Sequence, residues 1–518
     1  MDGPARLIEG LLRPEAFPER PSEIELRQTH VSYLLFTPDF VYKIKKPVDF
    51  GFLDFTTLEK RRFFCEEEVR LNRRLAPDAY LGVSAISEED GAFFMGGPGN
   101  AIEYAVKMKR LDNGKCLSTL IASDRATQET AAQVARAVAS FHAGAGTDAR
   151  ISGFGSIESI RRNTGENFSQ TLPFIGRTVS QRLHDLIRDH TEGFLSFEAP
   201  LLESRTRNGF IRDCHGDIHS EHVFIDNGVQ IIDCIEFNER FRYSDVIADA
   251  AFLSMDLDFL NRHALSSAFD EAYFHETGDY EGSRLMDFYR CYRAFVRGKV
   301  EGFKASEPEV GEAEREASFL RAACHFHLSG LYASGGFKPM LIIISGLSGT
   351  GKSSLAAQIA LHTNFVHLSS DAVRKELAGL SPYERRTEPF GQGIYSEDFT
   401  ERTYKALISR ASDLLGEGRS VILDATFGKR KRLLKAREMA ARKRVIVNTV
   451  ECTARNSTIR ERLRGRLAEP GKAVSDADWD IYLRQKALFE QISGPHIVSW
   501  AEDPLPERVR MVFSSIFG

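Results

Sequence analysis

The sequence of 518 residues predicts two units: an α+β unit over residues 1–335, then an α/β unit with a mostly parallel sheet over 336–518. Three observations predict it. Residues 341–518 carry 28 Lys+Arg against 21 Asp+Glu (+7), whereas the first 340 carry 40 against 52 (−12), which separates two bodies by charge. The apolar run Leu341–Ser345 leads into a glycine-rich loop and then a helical pattern, the order of an α/β unit. Residues 210–237 instead read as two short strands about an Asp226-Asn227-Gly228 turn, and residues 127–200 as helix-rich. A joint is expected at Ser329–Pro339, where small residues and a proline interrupt the pattern.

Composition narrows the class further. With 42% hydrophobic residues, 27% charged residues and 18 prolines, the chain is neither collagenous nor largely disordered. No apolar run reaches the roughly 18 residues of a membrane helix, and Met1–Arg6 shows no secretory pattern, so a cytoplasmic protein without membrane contact is expected. Cys65, Cys116, Cys214, Cys234, Cys291, Cys324 and Cys452 are scattered and form no C-x-x-C pair, which reads as reduced thiols.

In the first unit the informative stretch is Cys214-His215-Gly216-Asp217-Ile218-His219-Ser220-Glu221-His222, followed by a strand, the turn, a second strand and Asp233. The pattern resembles the aminoglycoside-phosphotransferase-like branch of the protein-kinase-like fold, over roughly residues 25–330. The resemblance implies that Asp217 accepts a hydroxyl proton and that Asp233 holds Mg²⁺. It implies a phosphate-binding lysine on the alternating run Phe40–Pro47, where Lys43 is the choice and Lys45, on the same face, its rival. Glu68, within the helical segment Leu58–Leu75, is taken as the lysine's partner, with Glu67 left open beside it. Ala105–Leu111, with Met108, reads as the last sheet strand and a hinge whose backbone meets the adenine of ATP. Residues 127–200 are the expected acceptor-binding helices, and Asp249 is expected to buttress the catalytic loop. The sequence departs from the family at His222, the position of an asparagine that serves a second Mg²⁺. Imidazole suits hard Mg²⁺ poorly, so the unit reads either as a kinase, with His222 among its metal residues, or as a nucleotide- or ligand-sensing pseudokinase that regulates a P-loop kinase or ATPase in the second unit.

In the second unit, Gly346-Leu347-Ser348-Gly349-Thr350-Gly351-Lys352-Ser353 after Leu341–Ser345 is G-x-x-x-x-G-K-S behind a strand, a P-loop in its required context. Gly346, Ser348, Gly349, Thr350, Gly351, Lys352, Ser353 and Ser354 are the expected phosphate cradle, with Ser353 reaching Mg²⁺. After the strand Phe365–Leu368, Asp371 and Arg374 lie one helical turn apart, as a general base and a residue that orients substrate. Asp424 ends the apolar strand begun at Ser420, a placement that serves Mg²⁺. Arg462 and Arg466 share a helix face from which two guanidinium groups can close over a transferring phosphoryl group. Together these features resemble the P-loop kinases that include zeta toxins and polynucleotide 5′-kinases, whose acceptors range from nucleic-acid ends to small molecules. The basic tract 429–444 is a candidate contact for a nucleic-acid backbone, although it lacks interleaved aromatics. Both resemblances in this order are similar to a bacterial fused family, which implies an ATP- and Mg²⁺-dependent phosphotransferase acting on an acceptor hydroxyl.

Overall fold

The computed structural model describes residues 3–381, 384, 391–468 and 478–518. The chain forms two compact units by packing, and the division is not a single cut. One comprises Met1–Arg162, Leu195–Asp256 and Ser267–Tyr289; the other comprises Asn163–Phe194, Leu257–Ser266 and Arg290–Gly518.

The first unit opens with β1 (Glu25–Gln28), β2 (Ser32–Phe36), β3 (Phe40–Lys45), β4 (Tyr80–Glu89), β5 (Ala92–Met95) and β6 (Ala101–Lys109). They make one antiparallel sheet in the order β1-β2-β3-β6-β4-β5, so β6 is the last strand in sequence but lies inside the sheet. Alternation along β3 sends Tyr42 and Ile44 into a core with Ile8, Leu11, Phe17 and Leu35, leaving Lys43 and Lys45 on the opposite face. The helix Leu58–Asn72 starts at Thr57, whose side chain accepts from the Lys60 amide. It buries Arg61, Cys65, Glu68, Val69 and Asn72, the helical repeat that a covered stripe requires. Further on, β7 (Ile211–Asp213) pairs with β10 (Tyr243–Asp245), and β8 (Val223–Ile225) forms a hairpin with β9 (Val229–Ile231). Positive φ at Asn227 (52°) and Gly228 (139°) makes that turn.

In the second unit, β11 (Met340–Ser345), β12 (Val366–Ser369), β13 (Val421–Asp424), β14 (Ile446–Thr453) and β15 (Ile497–Trp500) form a fully parallel sheet in the order β12-β13-β11-β14-β15. The two faces explain the unbroken apolar run of β11. Ile342 and Ile344 pack with Leu355, Ile359, Val512 and Phe513 on one side, while Leu341 and Ile343 pack with Tyr404, Leu407 and Leu433 on the other.

The helix Glu312–Ala333 runs through the first half of the expected joint at Ser329–Pro339. Its small residues serve packing. The Ser329 hydroxyl donates to the Cys291 carbonyl at 2.9 Å, and a Cβ on Gly330 would meet Leu183 at 2.4 Å. Asn261 adds a polar tie within this unit: its amide group donates to the Asn364 and Ser420 carbonyls and accepts from the Ser420 amide at 2.6 Å. Among the described residues, no helix is long and apolar enough to cross a membrane.

Candidate active sites

In the first unit, the stripe that buries Cys65 and Val69 also turns Glu68 inward, while Glu67 stays outside and pairs with Arg70. Glu68 is fully enclosed between the two lysines of β3, with Lys43 at 2.8 Å and Lys45 at 2.6 Å. Lys43 also reaches Asp233 at 2.6 Å, and Lys45 is bound to Glu236. Burial raises the Glu68 carboxyl, but Lys43 and Lys45 outweigh it and hold the group below its ordinary value. The same contest leaves Lys43 well above the ordinary lysine value, because Asp233, Glu68 and Glu236 together outweigh its desolvation. The Lys45–Glu236 pair was not anticipated, and its signal was the lysine at i+2 on the same strand face. Met108 lies on β6 opposite Val41 and packs with the Cys65, Val69 and Val106 cluster.

The loop at residues 214–222 is held mainly through its backbone. The Asp249 carboxylate accepts from the amides of His215 and Gly216 at 2.9 and 2.8 Å and meets His142 at 3.1 Å, so it does brace the loop. His215 is turned away from the site, with Nε2 3.0 Å from the Ile232 carbonyl, and burial pushes its imidazole down to about 4. The expected strand before Asp233 ends at Ile231, and Asp233 itself adopts a φ of 65°, a left-handed conformation costly for a residue with a Cβ. Asn72 and Tyr80 hold this bend, accepting from the amides of Cys234 at 2.8 Å and Asp233 at 3.1 Å. Burial works against an ionised Asp233, but Lys43 and His222 prevail and hold its carboxyl far below the usual range.

His222 stands between the two aspartates. Its Nδ1 is 3.6 Å from Asp217 Oδ2 and its Nε2 is 3.6 Å from Asp233 Oδ2, while His219 Nε2 is 3.6 Å from Asp217 Oδ2. Mg²⁺ takes oxygen ligands in a near-octahedral shell. Two imidazoles among the donors do not suit it, so the residues present do not fit the magnesium that the resemblance implies here.

In the second unit, the carboxyl ends of β11 and β13 lie side by side, with Ile344 opposite Asp424, and the glycine loop rises from the first of them. The loop's glycines are required by space. A Cβ on Gly346 would sit 2.2 Å from the Cys452 carbonyl oxygen, and Gly351, at φ 81°, caps the helix Lys352–Thr363. Lys352 donates to the Leu347 carbonyl at 3.0 Å, which holds its ammonium over the loop. Ser348 donates its amide to Gln485 at 3.3 Å, and Thr350 donates its hydroxyl to Leu347 at 2.8 Å. Asp424 is 3% exposed; burial raises its carboxyl, but His367, Lys352 and the Ser353 hydroxyl together hold it below its ordinary value. An ionised carboxylate beside the Ser353 hydroxyl is a donor set that suits Mg²⁺.

Asp371 lies in the first turn of the helix Ser370–Leu377. Arg374 is buried, and its guanidinium donates to the Ile394 carbonyl at 2.7 Å and the Thr400 hydroxyl at 3.1 Å, bonds that lock neighbouring chain. Arg462 donates to the Ala501 carbonyl at 2.7 Å and lies 3.1 Å from where a Cβ on Gly351 would be. Arg466 continues the same helix, and its side chain lies outside the described residues. Sequence reading missed Arg508, a buried arginine on the helix Leu505–Ile516. Its guanidinium bonds the Ser499 hydroxyl at 2.9 Å and would lie 2.9 Å from a Gly351 Cβ.

The basic tract forms the helix Arg430–Lys443. Three of the tract's nine basic residues meet carboxylates: Lys429 and Arg432 pair with Glu397 at 2.5 and 2.8 Å, and Arg432 and Lys435 pair with Glu401 at 3.0 and 3.5 Å.

Comparison with known proteins gives two family matches. Residues 65–290 match the phosphotransferase enzyme family, and residues 341–492 match an AAA domain family. The chain is 31% identical over 469 residues to "Uncharacterized protein Rv2004c" of Mycobacterium tuberculosis (strain H37Rv), covering 88% of this chain and 91% of that protein. The same figures hold for "Uncharacterized protein Mb2027c" of Mycobacterium bovis. Among solved structures, a gluconokinase from Sinorhizobium meliloti is 21% identical over 34% of this chain and 91% of its own, with a TM-score of 0.25. The M. tuberculosis APS kinase CysC, solved with AMPPNP and APS, is 18% identical over 34% of this chain and 97% of its own, with a TM-score of 0.26.

Proposed function

This chain belongs to the family that joins a phosphotransferase domain to a P-loop kinase domain, and from that premise we propose that it transfers the γ-phosphoryl group of ATP to an acceptor hydroxyl. The observation that carries the proposal is the convergence of Lys352, Ser353 and Asp424 at the carboxyl ends of β11 and β13, around a loop with no room for a Cβ at Gly346. Functional units divide at residues 335/336 in this reading.

In the P-loop unit, the loop amides and Lys352 hold the phosphates, and Arg462 and Arg466 supply charge as the phosphoryl group moves. Ser353 and Asp424 would hold Mg²⁺, which when bound neutralises phosphate oxygens. Asp371 takes the acceptor proton. Arg374 acts as a positioning residue, fixing the turn from which Asp371 projects through its bond to Ile394. In the front unit, Lys43, held by Glu68, meets the nucleotide phosphates, the backbone at Met108 meets the base, and Asp217 accepts a hydroxyl proton. Because the 429–444 tract has no aromatic side chain on which a base could stack, and Lys429, Arg432 and Lys435 are paired with Glu397 and Glu401, a small molecule is the favoured acceptor over a nucleic-acid end.

The test offers γ-labelled ATP with Mg²⁺, a small-metabolite extract and 5′-hydroxyl DNA and RNA oligonucleotides. Label on a small metabolite, with slow hydrolysis when no acceptor is present, is the expected result. Label on oligonucleotide ends would overturn the choice of acceptor, and rapid acceptor-independent hydrolysis would replace the kinase with an ATPase.

A further inference from the structure

Resting on the reading of Asp217 and Asp233 as the front unit's reacting carboxylates, we propose that this centre binds a divalent transition ion of the Zn²⁺ class in preference to Mg²⁺, through Asp217, His219, His222 and Asp233.

Donor placement supports this. Asp217 and His219 each offer a ligand atom, Oδ2 and Nε2, and these lie 3.6 Å apart. His222 Nδ1 is 3.0 Å from the Asp217 main-chain carbonyl, which can only accept, so Nδ1 carries the proton. That bond fixes the tautomer and leaves the Nε2 lone pair 3.6 Å from Asp233 Oδ2. Two bonds of about 2.1 Å span such a gap at a wide angle, as four- or five-coordinate Zn²⁺ allows, whereas cis ligands on octahedral Mg²⁺ lie only about 3 Å apart. The other carboxylate oxygen, Asp233 Oδ1, is held by Lys43 at 2.6 Å. Chemistry points the same way, since imidazole raises affinity for first-row transition ions and does little for Mg²⁺.

A second cluster, His142, Cys214 and Asp249, also brings ligand atoms together, but it is fully buried. Its Asp249 oxygens are taken by two loop amides, and its His142 nitrogens by Tyr273 and Asp249. It is a bracing network, and it serves as the internal control.

Calorimetric titration of the full chain with Zn²⁺, Mn²⁺ and Mg²⁺, without nucleotide and at one fixed pH, tests the proposal. Asp424→Asn throughout removes the P-loop unit's own metal position. The expected result is one Zn²⁺ site at least 100-fold tighter than Mg²⁺, weakened tenfold or more by His219→Gln and by His222→Asn. The latter variant, which restores an amide oxygen, also gains Mg²⁺ binding. Circular dichroism melts confirm folding, and His222→Gln replaces His222→Asn if that variant does not fold. Equal affinity for Zn²⁺ and Mg²⁺, or transition-ion binding indifferent to both histidines, would overturn the proposal. Phosphoryl transfer is not read here, so the metal assignment and the kinase reading fail separately.

Discussion

Glu68 shows how one residue organises the front site. It lies between Lys43 and Lys45 at 0% exposure, so Glu68→Gln leaves buried ammonium charge uncompensated. Losing one partner of a buried ion pair costs about 3–5 kcal/mol, whereas an exposed pair is worth roughly 0–1. Denaturant titration is therefore expected to show a large loss of stability for Glu68→Gln and almost none for Glu67→Gln, whose partner Arg70 is exposed. Equal losses would contradict the shared-carboxylate arrangement. The choice between the two glutamates was legible in principle, because Cys65, Glu68 and Val69 fall on one helix stripe and Glu67 does not. The left-handed bend at Asp233 was not legible. Its φ of 65° depends on Asn72 and Tyr80, residues distant in sequence that catch the neighbouring amides. Arg508 was hidden for the same reason, since only the fold brings its helix beneath Gly351.

At the scale of elements, period and spacing located the β11 strand, the glycine loop and the 223–231 hairpin. Of the small residues in Ser329–Pro339, Ser329 and Gly330 serve helix packing, because in a tightly packed helix Ser and Gly mark close approach as readily as they mark a joint. That helix, Glu312–Ala333, also carries two histidines into the apolar interior. His325 stacks on Phe259 at 3.7 Å, and His327 meets Phe517 edge-on at 5.2 Å. Burial holds the His325 imidazole well below its ordinary value and pushes His327 down to about 4. An unfolded histidine titrates near 6.5, so between about 6.5 and 4 the unfolded chain binds protons that the folded chain refuses. Stability is thus fully present above pH about 6.5 and falls as the pH drops toward 4. Thermal melts across that range are expected to fall more steeply for the wild type than for His325→Phe, which keeps the stacked ring; parallel curves would contradict a buried neutral His325. The helix Arg430–Lys443 gives another prediction. Because its inner cations already meet Glu397 and Glu401, Arg442→Glu with Lys443→Glu is expected to leave acceptor phosphorylation within twofold of wild type. A tenfold loss that tracks ionic strength would instead show that the exposed end of this helix grips a polyanionic substrate.

For the whole molecule, the charge difference along the chain, −12 before residue 341 and +7 after, marks two sequence regions of different composition. It did not disclose that helices from 163–194 and 290–335 pack into the compact unit that holds the parallel sheet. Charge counts report composition, whereas that packing rests on specific close approaches such as Gly330 on Leu183 and Asn261 on Ser420. Two kinase-type centres in one chain make the central claim, and it is most directly tested by γ-phosphoryl transfer from labelled ATP to a small-metabolite extract, comparing the wild type with Lys352→Ala and Asp217→Ala. Transfer to a small metabolite that Lys352→Ala lowers by 100-fold or more, with a second labelled product lost only in Asp217→Ala, is the result expected of two working sites. Transfer that survives Lys352→Ala undiminished would contradict the account at its foundation.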